Sequence, residues 1–135
     1  MLKLTVVTPE KKLVTDIEVD DVFVPAFRGE LNILPGHAPL MTTLSTGVVR
    51  FKRKGSSTLE SIAVSWGYCE VAKDVVNILA ETAESTQEID LARAELAFKN
   101  SEKAMSGDVE GDQLEKYRLK RERALVRISV ARMNN

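Results

Sequence analysis

Near residue 85 the hydrophobic pattern of this chain changes period, and this constrains the fold more than any other feature of the sequence. Before that point apolar and polar residues alternate in short runs. Leu2, Leu4 and Val6 alternate with Lys3 and Thr5, and Val22 and Val24 repeat the pattern on Asp21 to Pro25. Such alternation buries one face of a strand. Val48 to Phe51, Ile62 to Val64 and Val75 to Leu79 are further short apolar runs. Turn-forming pairs separate them: Thr8-Pro9, Arg28-Gly29, Pro35-Gly36, Gly55-Ser56, Trp66-Gly67 and Lys73-Asp74. Many short strands with frequent turns predict a β-sandwich or barrel, assigned to residues 1–84.

After residue 85 the spacing becomes helical. Ser85 and Glu88 have capping-box spacing, and good helix formers follow from Leu91. Ala94, Ala97, Phe98, Ser101 and Met105 share one expected face, and Ser106-Gly107-Asp108 ends the run. Asp112 and Glu115 signal a second start. Leu114, Tyr117, Ala124, Leu125, Ile128 and Ala131 are its expected apolar side. Two helices with a short connection predict an antiparallel hairpin over residues 85–135. The expected fold is therefore segregated α+β, a β-sandwich followed by a two-helix hairpin. The hairpin is poor in large apolar residues, so it is expected to depend on the head, a ligand or a partner.

Charge is balanced overall, with a net charge of -1 over 135 residues, so no whole-protein field favours nucleic acid. It is uneven locally. From Leu114 onward Lys116, Arg118, Lys120, Arg121, Arg123, Arg127 and Arg132 are opposed in that stretch only by Glu115 and Glu122. The tail therefore reads as a cationic surface for an acidic partner or, more weakly, nucleic acid, since few aromatics accompany the arginines. Cys69 is the single cysteine, which excludes an internal disulfide and a cysteine-based zinc site. The alternating first residues read as a strand rather than a leader, and no run is long enough to span a bilayer. No metal site is expected.

Catalytic signals are sparse. His37 is the only histidine, and Ser45, Ser65 and Cys69 are the nucleophiles it would need, but none stands in a Gly-x-Ser-x-Gly elbow. No Gly-rich phosphate loop is present. An enzyme using His37 and a nucleic-acid module using the tail remain the alternatives to a binding subunit. Trp66 reads as a core or interface aromatic, and Cys69 as a buried apolar residue.

Three stretches carry a family resemblance. Gly29 to Leu40, with Pro35-Gly36-His37-Ala38-Pro39 at its centre and Gly47-Val48-Val49 after it, resembles the signature loop of the epsilon subunit of F-type ATP synthases. Gly67-Tyr68-Cys69-Glu70-Val71 resembles the family's later Gly-x-x-Glu-Val strand. Ile89-Asp90-Leu91-Ala92-Arg93-Ala94 resembles the motif at the start of its first tail helix. The resemblance spans the chain in order. Arg28 stands where many members carry a small or acidic residue, and Asn32 where glycine is common.

The resemblance implies a non-catalytic rotor subunit of the central stalk, without a cofactor of its own. It implies that the head binds the gamma subunit and the c-subunit ring, with Arg28, Glu30 and His37 at the contact and Leu31, Ile33 and Leu34 anchoring their loop. It implies a tail that lies folded or extends to the catalytic beta subunits, where Arg118, Lys120, Arg121 and Arg123 form an inhibitory basic face. It further implies ATP as a regulatory ligand of the folded hairpin, held by Glu84, Asp90, Arg93, Arg123 and Arg127. Asn100 stands where nucleotide-sensing members add an arginine. The implied location is the cytoplasmic face of a bacterial inner membrane, peripheral and held by the complex, or the corresponding organellar membrane.

Overall fold

Seven strands followed by two helices make up the computed structural model, which describes residues 1–133; Asn134 and Asn135, part of the expected hairpin segment, lie outside the described residues. The strands are β1 (Leu2–Val7), β2 (Lys12–Ala26), β3 (Gly29–Ile33), β4 (Leu40–Leu44), β5 (Gly47–Arg53), β6 (Leu59–Ala72) and β7 (Val75–Ser85). The expected sandwich is present, but two strands are much longer than the short apolar runs implied. The first half of β2 pairs antiparallel with β1, and its second half with β3 and β5. Along β6 the first half pairs with β5 and the second with β4, while β7 follows it throughout. A parallel β1–β7 pair completes a circuit through β1, β7, β6, β5 and β2. That circuit leaves few free strand edges, the main hazard of an antiparallel sheet.

The core follows from the alternation. Leu2, Leu4 and Val6 of β1 are buried, with Val22 and Val24 of β2 and Val49 and Phe51 of β5 facing them. Burying each such side chain stabilises the head by roughly 1.5–3 kcal/mol before ordering costs. Cys69 is part of this core, and burial pushes its thiol up to about 12. It is a buried packing residue, as expected from the sequence.

Trp66-Gly67, expected as a turn, lies within β6. Both residues have positive φ, 54° at Trp66 and 150° at Gly67. The kink exchanges the two faces of the strand. Ile62 and Val64 point to the core before it, and Cys69 and Val71 after it. β7 changes face with it, since Ala83 pairs with Val64 and Ala80 with Gly67, all without a register shift. Gly67 is required here on two counts. Its φ suits glycine, and a Cβ would lie 2.0 Å from the Leu79 carbonyl oxygen.

The capping box at Ser85 and Glu88 is formed, but it closes a single 3-10 turn over Thr86–Glu88, not the long helix expected there. Glu88 Oε1 accepts from the Ser85 N–H and hydroxyl, each at 3.0 Å, and Lys11 of the β1–β2 turn binds the other carboxylate oxygen. The helix α1 (Leu91–Met105) starts after two extended residues, Ile89 and Asp90. Asp90 is its N-cap, with Oδ1 accepting the Arg93 N–H at 3.1 Å. Such a cap is worth about 1 kcal/mol. Gly111, at φ 61°, precedes α2 (Asp112–Arg132), so Asp112 opens the first turn and is not the cap.

The helices pack antiparallel through small side chains. Ala94 and Ser101 of α1 and Ala124 and Val130 of α2 are the buried residues of the hairpin. Leu114 and Leu125, expected on the apolar side of α2, are exposed instead. The inward face runs through Tyr117, Lys120, Ala124 and Arg127, a helical spacing that places long polar side chains between the helices.

Candidate functional site

Two regions of the surface stand apart. One is the junction of hairpin and head. Helix α2 rests on β5 and β6, and a narrow crevice between them is lined by Ala63, Ser65, Thr82 and Glu84 from the head and Arg123, Val126 and Arg127 from the helix. Glu84 Oε1 lies 2.7 Å from Arg127 Nε, with side-chain exposures of 28% and 19%. The Arg127 Nη2 donates to Glu84 Oε2 at 3.3 Å, whereas its buried Nε–H is not aimed at either oxygen. Arg123 Nε is also buried without an acceptor. Two guanidinium groups therefore line a crevice whose one carboxylate, Glu84, is bonded only by Arg127, and an unsatisfied buried donor is costly.

The same arginines line a cleft of about 330 Å³ between the helices, with Asn100, Ser101, Tyr117 and Lys120. Of the five residues implied to hold ATP, Arg123 and Arg127 are together in this cleft, and Glu84 is beside Arg127. Asp90 and Arg93 do not line it. Asp90 is occupied as the helix cap, and the two residues form no ion pair; the contact is from the Arg93 backbone.

The four residues expected to form one basic face do not share one in the docked hairpin. Arg118 is held outward by Glu115 and Glu122, while Arg121 lies 3.4 Å from Glu102 of α1. Lys120 and Arg123 line the inter-helix cleft, where the Lys120 Nζ is 5.7 Å from the centre of the Tyr117 ring. Arg132 pairs with Glu95 at 3.0 Å. The acidic partners of the tail are thus divided among α2 itself (Glu115 and Glu122), α1 (Glu95 and Glu102) and the head (Glu84). Four of the seven tail cations, Arg118, Arg121, Arg127 and Arg132, are thereby paired, while Lys116, Lys120 and Arg123 have no ion-pair partner among the described residues. The Arg118 guanidinium beside it also holds the Glu115 carboxyl below the usual glutamate range.

The expected contact loop is a turn, strand β3 and a second turn, and its three polar residues have separate partners. Arg50 Nη2 of β5 donates to both carboxylate oxygens of Glu30, at 2.8 and 2.6 Å, and that guanidinium also lies 4.9 Å over the Phe23 ring. Arg28 is exposed in the β2–β3 turn. His37 is half-buried in the second turn, where the Gly36 N–H donates to Asp74 Oδ1 at 2.8 Å and His37 Nδ1 is 2.7 Å from the Ala38 carbonyl. No acid, base and nucleophile converge on it. Ile33 and Leu31 anchor the segment to the core, but Leu34 is exposed.

Of the second region, the sequence singled out only Trp66, as a core or interface aromatic. Past the hairpin footprint, where β6 kinks, a depression of about 580 Å³ is lined by Pro9, Phe27, Thr43, Trp66, Tyr68 and Leu79, among others. Phe27 is 74% exposed, Tyr68 56% and Trp66 40%, with Met41 close by along β4. Phe27 and Thr43 also line the neighbouring depression that includes Arg28 and Glu30. A contiguous exposed aromatic patch marks an interaction surface. Positive φ at a bulky residue costs on the order of 1–3 kcal/mol, so Trp66 is both exposed and strained. The signal available in the sequence was a glycine after an aromatic inside a long apolar stretch, read there as a turn.

Among the described residues no helix is long and apolar enough to cross a membrane, and no group of acidic, histidine and cysteine side chains could hold a metal ion.

Residues 1–86 match the family model for the β-sandwich domain of the ATP synthase delta/epsilon chain. The ATP synthase epsilon chain of Bdellovibrio bacteriovorus is 51% identical over 112 residues, which is 83% of this chain and 80% of that protein. The epsilon chain of Geotalea daltonii is 42% identical over 131 residues, 96% and 93% of the two chains. In backbone, a chain of the Euglena gracilis mitochondrial ATP synthase (OSCP/F1/c-ring) aligns with a TM-score of 0.78 at 20% identity, covering 92% of this chain and 78% of that one. A chain of the Tetrahymena thermophila mitochondrial ATP synthase central stalk and c-ring aligns at 0.66 and 13% identity, covering 96% of each.

Proposed function

This chain belongs to the ATP synthase delta/epsilon family as an epsilon chain, and from that premise we propose that it is a non-catalytic rotor subunit whose head couples gamma to the c-subunit ring. The observation that carries the reading is the division of the surface. The head offers an aromatic patch and a polar loop, and neither has the convergent groups of an active site. Gamma docks on the patch from Phe27 to Leu79, next to Arg28 and Glu30, and the turn carrying His37 meets the ring. The complex holds the chain at the cytoplasmic face of a bacterial inner membrane. The test is co-purification of gamma and the ring with this chain from detergent-solubilised membranes, in wild type and in Glu30→Ala/His37→Ala. A chain recovered without either partner removes the reading. Unchanged recovery of both with the double variant removes these two side chains from the contact.

Regulation is assigned to the hairpin. Extension would break Arg121–Glu102 and Arg132–Glu95, which join the two helices, and free the cations for an acidic segment of the catalytic beta subunits. Inhibition is tested by replacing Arg118, Lys120, Arg121 and Arg123 with Ala in the assembled complex. Higher ATPase activity with weaker salt dependence is expected, and unaltered activity rejects the charge mechanism. ATP is proposed as the ligand of the inter-helix cleft, with phosphates on Arg123 and Arg127, whose buried Nε–H groups lack acceptors. At a hundredfold excess over its dissociation constant ATP would stabilise the docked hairpin by about 2.7 kcal/mol. Calorimetric titration of the whole chain decides this. Equal binding by wild type and Arg127→Ala, or no heat at all, rejects it.

A further inference from the structure

We propose that Trp66 is the anchor of the head's docking surface for the gamma subunit, presented by a backbone kink at which the fold itself does not require a tryptophan. The inference rests on the rotor reading above and adds which residue of the head holds the partner.

Trp66 interrupts β6 with φ 54°, and Gly67 follows at φ 150°, packed so closely on Leu79 and Ala80 that no Cβ fits. The kink does have a role in the fold, since it exchanges the faces of β6 between Val64 and Cys69. A tryptophan is not what that role requires. A left-handed backbone is easiest for glycine or asparagine, and the Trp66 side chain is outside the core cluster. It stands in the open depression, with Phe27 and Tyr68, all three substantially exposed. Strain and exposure therefore fall on one residue, and neither is compensated within this chain. A partner that covers the ring compensates the exposure, and the kink fixes the ring beforehand, so little freedom is lost on binding.

The hairpin is not that partner in the docked state. Its footprint ends at Ser65 and Thr82, the residues immediately before the kink on β6 and after it on β7, and the patch continues from there. The docking surface is thus contiguous with the intramolecular one and is left open by it. The chemistry of the occupant follows from the lining. It is apolar at the centre, to receive Trp66, Tyr68 and Phe27. At the rim it carries a cation or a hydrogen-bond donor for Glu81, the acidic residue of the depression. Large aromatics in such positions carry a disproportionate share of binding energy.

The experiment uses the full chain and the purified gamma subunit of the same synthase, with binding measured by calorimetry and stability by thermal melting. Trp66→Gly and Trp66→Asn keep the kink accessible and remove the ring. The expected result is at least tenfold weaker gamma binding in both variants, with melting temperatures equal to or above the wild type. Either variant binding gamma as tightly as the wild type overturns the anchor role. Both variants melting well below the wild type also overturns it, because Trp66 is then a folding residue. Failure of the wild-type chain itself to bind gamma overturns the rotor reading as well, which separates the two.

Discussion

The head and the hairpin are held in their folded forms by different means. In the head, side chains as large as Phe51, Leu2, Leu4 and Ile33 are buried almost completely, and strand pairing joins residues far apart in the chain. In the hairpin, the buried side chains are Ala94, Ser101, Ala124 and Val130, while Leu96, Leu114 and Leu125 remain exposed. Ion pairs replace apolar contact there: Arg121 with Glu102, Arg132 with Glu95, and Arg127 with Glu84 of the head. Exposed pairs contribute about 0–1 kcal/mol each and are weakened by salt. The head is therefore packed as an apolar unit, whereas the hairpin is held to itself and to the head mainly by polar contacts. The regulatory movement proposed for the hairpin would require that inequality, because an arm as firmly packed as its base would not move.

The comparison is broken most severely from inside the head. Phe51→Ala removes a buried aromatic and should cost about 3–5 kcal/mol, read as a large fall in the urea midpoint. Ala124→Gly in the hairpin seam should leave that midpoint nearly unchanged. Equal effects would show that the two regions unfold as one.

A chain ending at Glu88 should retain a cooperative melt, since β7 and the clamped 3-10 turn are then complete. Cys69 reports on this directly. Burial keeps its thiol protonated, so a thiol reagent at pH 8 should not label it in the full chain or the shortened one until the head unfolds. Labelling of the shortened chain under native conditions would mean that the hairpin completes the core. The raised thiol also sets a sign in alkali. The unfolded thiol ionises near its ordinary value and the folded one only near 12, so head stability should fall as the pH rises through that window.

Glu84→Ala should act more locally. It leaves Arg127 at the junction without its carboxylate partner, at a cost of about 1–3 kcal/mol. The expected readout is faster hydrogen exchange in α1 and α2, with β-strand protection unchanged. Uniform exchange rates across both regions, before and after the substitution, would sink the idea that this pair holds the hairpin down.

The smallest effect is expected at the hinge, in acid. Lys11, with Ser85, holds the Glu88 carboxyl below the usual glutamate range. A carboxyl depressed in the folded state contributes stability above its unfolded pKa, and the contribution is lost as the pH falls through the folded value. Protection of the Ser85 amide should therefore drop below about pH 4, and Glu88→Gln should abolish that dependence. A pH-independent amide in the wild type would exclude Glu88 as the clamp.

The sequence by itself determined the division of the chain, because the two periods of apolar residues are local properties that each segment carries alone. Leu2, Leu4 and Val6 announced a strand, and the run from Leu91 to Ala97 announced a helix, whatever they packed against. The order of motifs from Gly29 to Ala94 likewise determined the family. Only the tertiary structure decided matters that depend on residues distant in the chain. Trp66-Gly67 has the composition of a turn, yet pairing with β7 in one register before and after it, and with β4 from Gly67 onward, keeps it inside β6 and turns it into a change of face. The capping box at Ser85 looked like a helix start, but Lys11, 77 residues earlier than Glu88, ties that turn to the head. On α2 the inward face passes through Ala124 and Arg127, not Leu114 and Leu125, because the seam is chosen by what α1 and the head present: small residues on one side, and Glu84 on the other.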